Sequence, residues 1–296
     1  MFTFGSTISF IHTFENKKMK ILQVINSLNT GGAEKLLLET IPLYTRKGIK
    51  MDILLLNGTE TPFLTALKKQ ECCSIFSLGN GLVYNPLLIF KIIPFLKKYD
   101  ILHVHLFPTQ YFVVVAKLIS FSKVPLIFTE HNTNNRRLEK PIFKWFDQFI
   151  YKFYNRIVCI TEEVFNIIQK HTNLSAKRFQ IIENGVNLTT IQHASSIEKS
   201  KIIPSFEVGD KLLIQVSGFR PQKDQTTLIN AMTFLPEKVK LILVGDGILR
   251  KECEYLVEKL HLNDRVFFLG IRTDVPQLLK SSDLVVLSSK YEGLSL

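Results

Sequence analysis

Cysteine is scarce and scattered. The four residues, Cys72, Cys73, Cys159 and Cys253, form no CxxC pair and stand beside no histidine cluster, so neither a disulfide framework nor a zinc site is expected. A reducing cytosol is the expected compartment. There is no run of about 18 uncharged apolar residues, so a membrane-spanning helix is not expected. A dinucleotide fingerprint of the GxGxxG type is missing, as is an Asp-x-Asp pair of the kind that holds a divalent metal. No internal repeat or low-complexity tract stands out. Acid is the sparser sign: 26 Asp and Glu against 37 Lys and Arg leave a formal charge of +11, which favours phosphates, nucleic acid or lipid headgroups as partners. With 46% of its 296 residues apolar, the chain has material for two ordinary domains, each with a core, and a disordered or fibrous chain is excluded.

From Lys20 onward, short runs rich in Val, Ile and Leu alternate with longer segments of helical period, the pattern of a parallel sheet buried between helices. The fold class is α/β throughout. Strands are expected at 21–25, 51–56, 101–104, 126–129 and 157–160, with helices at 33–47, 62–70, 86–98, 110–121, 141–155 and 162–171. Gly48 stands where a helix C-cap glycine belongs. The periodicity lapses near 186–210 and then resumes, with strands at 212–216, 241–244, 266–269 and 284–287 and helices at 225–235, 249–260 and 275–280. Residues 19–187 therefore read as an N-terminal Rossmann-like domain, 188–210 as a linker, and 211–296 as a second α/β domain. That second domain is expected to be incomplete, since its series stops in the loop after a strand. The extension 1–18 has an apolar run, 8–14, broken by His12, with no basic residue before it and no small-residue cleavage site, which argues against a signal peptide. Met19 is the alternative start.

In an open parallel sheet, ligands lie beyond the carboxyl ends of the strands, so the loops that follow strands are the candidate sites. After the first strand come Gly31 and Gly32, ahead of a helix whose amino terminus would favour a phosphate or sugar oxygen; a plain turn is the other reading. His103 and His105 stand at i and i+2 on one strand and share a face, with Glu130 and His131 ending the next strand. Spacing fixes no third ligand, so no metal is assigned. In the second half Gly218, Arg220 and Lys223 follow one strand, and two cations in one strand-to-helix loop suit a diphosphate; solvated surface charge is the bland alternative. Gly245, Asp246 and Gly247 follow the next strand, Arg272 the one after, and Glu292 and Gly293 the last.

Taken together, Gly31-Gly32, the run Glu183-Asn184-Gly185-Val186, Arg220 with Lys223, Gly245-Asp246-Gly247 and Glu292-Gly293 resemble family-4 retaining glycosyltransferases of the GT-B fold, and the resemblance covers nearly everything from Met19 to Leu296. It implies two Rossmann-like domains facing a cleft, the first taking the acceptor and the second a nucleoside diphosphate sugar, UDP- or GDP-linked, with no cofactor and no divalent metal. It also implies that Arg220 and Lys223 hold the diphosphate, that Gly31 and Gly32 border it, and that His105 meets a hydroxyl of the donor sugar. Glu292 would bind sugar hydroxyls, and Gly218, Gly245, Asp246, Gly247, Arg272 and Gly293 would line the donor site. Glu130, His131 and Asn184 would lie on the acceptor side. The partner of Glu292 in the family's glutamate pair would fall beyond Leu296.

One stretch stands apart. From Arg136 to Arg156, aromatics recur at mixed helical spacings among cations, which reads first as a core helix covering the sheet and second as a helix resting on an anionic membrane. The functional expectation is a glycosyltransferase acting on a glycan or lipid-linked acceptor in surface-polysaccharide synthesis, cytoplasmic and peripheral on the inner face of the plasma membrane. The alternative is a catalytically inactive sugar-nucleotide-binding module. A nucleic-acid partner is disfavoured, because the charge is spread over helices and no nucleic-acid motif occurs.

Overall fold

The computed structural model describes residues 19–131, 141–292 and 294. The extension 1–18, Gly293 and the cations Arg136, Arg137 and Lys140 lie outside the described residues. The chain divides into two units, Met1–Asn184 and Gly185–Leu296.

The first unit runs β1 (Lys20–Ile25), α1 (Gly32–Arg46), β2 (Lys50–Leu55), α2 (Pro62–Lys69), β3 (Ile75–Ser77), α3 (Leu88–Ile92), β4 (Ile101–His105), α4 (Thr109–Ile119), β5 (Leu126–Glu130), α5 (Pro141–Tyr151), β6 (Arg156–Cys159), α6 (Glu162–Thr172) and β7 (Phe179–Ile181). Its seven strands are all parallel, in the order β3-β2-β1-β4-β5-β6-β7. Alternate residues of β1 and β2 feed two separate cores: Leu22, Val24 and Leu54 pack on one face, Ile25, Ile53 and Leu55 on the other, while β4, β5 and β6 feed the first core alone. At β1 and β2 both faces are apolar because helices cover both, which is why these strands read as nearly continuous apolar runs. Gly48 follows α1 at φ +83°, as a C-cap glycine should.

Two strands escaped the sequence reading. β3 and β7 are three residues each and lie at the two edges, too short for a period to register. The helix expected at 86–98 is α3 followed by a 3₁₀ stretch, Ile93–Lys97. Pro94 has no amide to continue the α-helical ladder, so the chain tightens there.

Helix α5 shows how polar hooks set a helix's rotation. Asp147, with no exposed surface, accepts from the Tyr111 hydroxyl (2.6 Å) and is bonded to His171 Nε2 (2.9 Å). The Tyr151 hydroxyl donates to Glu130 (2.7 Å), and just past the helix the Tyr154 hydroxyl donates to the Gln110 carbonyl (2.7 Å).

The second unit runs α7 (Leu188–Gln192), α8 (Lys199–Ile202), β8 (Lys211–Val216), α9 (Gln225–Ala231), β9 (Val239–Val244), α10 (Arg250–Lys259), β10 (Val266–Gly270), α11 (Val275–Ser281) and β11 (Leu284–Val285). Its parallel sheet has the order β10-β9-β8-β11. Residues 188–210, expected as a linker, are folded onto this unit: Ile203 is buried with Leu212, Ile214, Ile242, Val244 and Leu278, and the Ile197 amide donates to Ser281 Oγ (2.7 Å). Apolar residues without a period, Ile197, Ile202, Ile203 and Phe206, cover one face of the sheet from that segment. Among the described residues no helix is long and apolar enough to cross a membrane.

Asp147→Ala strands buried donors on Tyr111 and His171, and should cost the first unit about 2 to 4 kcal/mol. Urea denaturation should show a lower midpoint at unchanged slope, with Asp147→Asn losing less because one acceptor oxygen remains.

Candidate functional site

Strand order reverses beside β1 in the first sheet and beside β8 in the second, and the crevice of an open α/β sheet opens at such a reversal. In the first unit this brings the loops after β1 and β4 together. The Asn26 amide donates to the Phe107 carbonyl (2.8 Å), and its oxygen accepts from Thr109 Oγ1 (2.5 Å). Gly31 is the N-cap of α1 in extended conformation with no side-chain cap. The Glu34 carboxylate lies against it, near enough that a Cβ at Gly31 would stand 2.3 Å from Oε2. The anion at this helix terminus is thus the chain's own first-turn carboxylate.

Beneath the loops lie three imidazoles. His105 is 1% exposed. Its Nε2 is 2.8 Å from Gln23 Oε1, while the Gln23 amide donates to Met51 Sδ (3.3 Å). Gln23 therefore offers His105 an acceptor, which puts the proton on Nε2 and leaves Nδ1 to accept from His131 Nε2 (3.0 Å). Ring centroids of His103 and His105 lie 4.3 Å apart, tilted by 39°, and His103 Nε2 is 2.7 Å from Thr129 Oγ1. Burial pushes His103 down to about 4 and His131 down to about 3. Burial first, then its two neighbours, holds His105 well below the usual imidazole range. Both ring nitrogens of His105 are thus engaged, and a sugar hydroxyl there would have to replace His131 as partner. Glu130 is 4% exposed and bonded to Tyr151; it faces the packing under α5. Asn184 is partly exposed at the end of the unit.

In the second unit, backbone hydrogen bonds join the strand-end loops. Phe219 N donates to Asp246 O (3.0 Å), Leu249 N to Phe219 O (3.2 Å), Gly245 N to Gly270 O (2.8 Å) and Lys290 N to Gln222 O (2.8 Å). Such close approach leaves no room for side chains. A Cβ on Gly245, which has φ +134°, would lie 2.2 Å from Ser217 O, and one on Gly247 would lie 2.5 Å from Phe219 O.

Within this frame Lys223 Nζ pairs with Glu292 Oε1 at 2.6 Å, joining the loops after β8 and β11 at the reversal. Arg220 is exposed in the same loop, and its guanidinium makes no ion pair among the described residues. Arg272 follows the edge strand β10, two strands from β8, and is clamped by Asp274 (2.8 and 2.6 Å). That hydrogen-bonded clamp holds the Asp274 carboxyl below its ordinary range. Asp246 accepts from the Gly247 amide and lies 3.8 Å from Arg250.

Sequence reasoning missed the residues that hold the cation loop. Gln215 donates to Ser217 Oγ (3.0 Å) and the Lys223 carbonyl (3.2 Å) and accepts from Ser288 Oγ (3.0 Å). Ser288 also reaches the carbonyls of Lys223 and Asp224, and Gln225 holds Ser217 Oγ and the Gly218 carbonyl. Gln23 and Gln215 shared one signal: each is a lone amide inside a buried apolar strand beside the reversal.

The sequence model of Glycosyltransferase Family 4 matches residues 30–190, and that of glycosyl transferases group 1 matches residues 196–296. The chain belongs to glycosyltransferase family 4. Among related family members is an Escherichia coli protein named UDP-Gal:alpha-D-GlcNAc-diphosphoundecaprenol alpha-1,3-galactosyltransferase, 29% identical over 215 residues, which span 68% of this chain and 54% of that protein. A Campylobacter jejuni protein, N-acetylgalactosamine-N,N'-diacetylbacillosaminyl-diphospho-undecaprenol 4-alpha-N-acetylgalactosaminyltransferase, is 24% identical over 286 residues, 92% of this chain and 74% of its own length. The crystal structure of Anabaena HepE in complex with UDP and glucose superposes with a TM-score of 0.77 at 22% identity, covering 93% of this chain and 75% of that one. The fold is thus that of the family's GT-B members, built from two Rossmann-like units.

In this family-4 chain the buried neutral imidazoles set a pH dependence. Below about pH 6.5 the unfolded chain takes up protons that the folded one refuses. Stability present above that pH should therefore fall as the pH drops toward 4, by up to about 1.4 kcal/mol per pH unit for each imidazole. Urea unfolding across this range should show the loss, and His103→Asn should flatten the slope by one imidazole's share; an unchanged slope would contradict the assignment.

Proposed function

We propose that this chain transfers a sugar, with retention of anomeric configuration, from a nucleoside diphosphate sugar to a lipid-linked or glycan acceptor, in surface-polysaccharide synthesis on the cytoplasmic side of the membrane. The observation that carries the reading is the cation loop at the reversal of the second sheet, where Arg220 and Lys223 are held by backbone ties and by Gln215, Gln225 and Ser288. As the sugar–phosphate bond breaks, its electron pair goes to the diphosphate and the sugar becomes oxocarbenium-like. Cations already fixed at the leaving oxygens lower that barrier without reorganising. The acceptor oxygen then forms the new bond to the same carbon, and the departing phosphate is the nearest base for its proton.

UDP is the favoured carrier on two supports: the name of the Escherichia coli relative specifies UDP-Gal, and HepE was crystallised with UDP. Both undecaprenol-directed relatives favour a lipid-linked acceptor. The second unit takes the donor. Glu292, now paired with Lys223, turns to the sugar hydroxyls when the diphosphate replaces it on the ammonium. The first unit takes the acceptor by way of His131 and Asn184, while Glu130 stays bonded to Tyr151.

Arg220→Ala and Lys223→Ala should each weaken UDP binding about 10- to 100-fold, the worth of a charge-assisted contact of about 1.5 to 3 kcal/mol. Glu292→Gln should tighten UDP, by releasing Lys223, yet weaken the UDP-sugar. Calorimetry separates these, and unchanged UDP affinity in both cation variants would remove the proposed diphosphate site.

A further inference from the structure

Helix α5 turns Trp145, Phe146 and Phe149 outward. Trp145 is 66% exposed, and Phe146 and Phe149 are each 43% exposed. At about 100° per residue, Trp145, Phe146 and Phe149 share one side, while Asp147, Ile150 and Tyr151, all buried, share the other. The hydrogen bonds of Asp147 to Tyr111 and His171, and of Tyr151 to Glu130, fix this rotation. Turning the aromatics inward would break all three, so their exposure is imposed by the fold. The rings also brace one another, with Trp145–Phe146 and Phe149–Phe153 centroids both 5.1 Å apart.

Cations border this face. Lys144 is exposed on the helix, Lys152 just beyond it and Arg156 at the start of β6. Arg178 is pinned at the helix end by its bonds to the carbonyls of Lys152 (2.7 Å) and Tyr154 (3.3 Å). The acidic residue of α5, Asp147, points inward. Aromatic rings at the centre with cations at the border match an anionic bilayer, whose headgroups meet the charges while the rings enter the interface. A protein partner would not need the fringe to be of one sign.

We propose that the outward face of α5 docks this chain on an anionic lipid bilayer. A helix that follows a strand begins at the strand's carboxyl end, so α5 starts at the end of the first sheet where Glu130 and His131 stand, and Trp145 and Phe146 lie midway along it. Docking there brings the surface that carries a lipid-linked acceptor to the mouth of the first unit. The proposal deepens the reading of a lipid-linked acceptor and rests on it for its use.

Trp145 is the one tryptophan of the sequence, so its emission reports this face without labelling. With vesicles of phosphatidylglycerol and phosphatidylcholine, emission should move to the blue and be quenched by lipids brominated in their acyl chains; phosphatidylcholine alone should do neither. Lys144→Ala with Lys152→Ala should weaken vesicle binding about 25-fold, about five-fold for each lysine. Phe146→Ser with Phe149→Ser should abolish sedimentation with vesicles while circular dichroism and UDP affinity stay unchanged. The proposal is overturned if emission is indifferent to anionic vesicles, if the blue shift follows protein concentration without lipid, which would mean a second copy covers the face, or if both folded variants bind vesicles like the parent. UDP binding tests the transferase reading separately: a chain that binds vesicles and not UDP keeps this docking face and loses that reading, and one that binds UDP and not vesicles does the reverse.

Discussion

The candidate site depends on a property of strand order. Both sheets grow outward from their first strand and then restart on its other side, at β1 and β4 in the first unit and at β8 and β11 in the second. Connections leaving neighbouring strands at such a reversal run in opposite directions and leave a gap over the strand ends. Whatever fills that gap must be tied from below. A glutamine in each first strand does so: Gln23 holds His105, and Gln215 holds the carbonyl of Lys223 and the hydroxyl of Ser288. Burying an amide costs free energy unless its hydrogen bonds are made, so each glutamine also fixes the loop that satisfies it.

Glycine supplies the second constraint. The loops after β8 and β9 touch backbone to backbone at Ser217–Phe219 and Gly245–Gly247, where a Cβ would fall inside contact distance. Rigid loops matter more here than the ion pair they carry. Lys223 and Glu292 are partly wetted, and such a pair is worth about 1 kcal/mol or less. Under the proposed reading a diphosphate, with more than one charge and a second cation in Arg220, would outcompete a single carboxylate. The pair therefore keeps the lysine placed without holding it against a donor.

Much of this was legible in the sequence because a parallel sheet buried on both faces leaves a strong record. The Val, Ile and Leu runs of β1, β2 and β4 and the helices between them follow from burial alone, and backbone hydrogen bonds join the loop after β8 to those after β9 and β11. What the sequence withheld was short or pairwise. β3 and β7 have three residues each, and the cover supplied by Ile203 has no period. Arg272 reads as a cation lining the donor site, whereas Asp274, two residues on, clamps it. His105 reads as a group reaching the loop to meet a sugar hydroxyl, whereas its partners, Gln23 on β1 and His131 just past β5, are remote from it in sequence. Pairings of that kind are tertiary, and spacing does not encode them.

The central claim is that the loops at the strand reversal of the second unit form a prebuilt seat for a nucleoside diphosphate. Amide hydrogen exchange with and without UDP tests it most directly. The account predicts that UDP slows exchange in residues 217–224, 245–249 and 288–292, with little change along β9 and α10. Bound UDP that left those three loops unchanged, and protected some other segment, would contradict it.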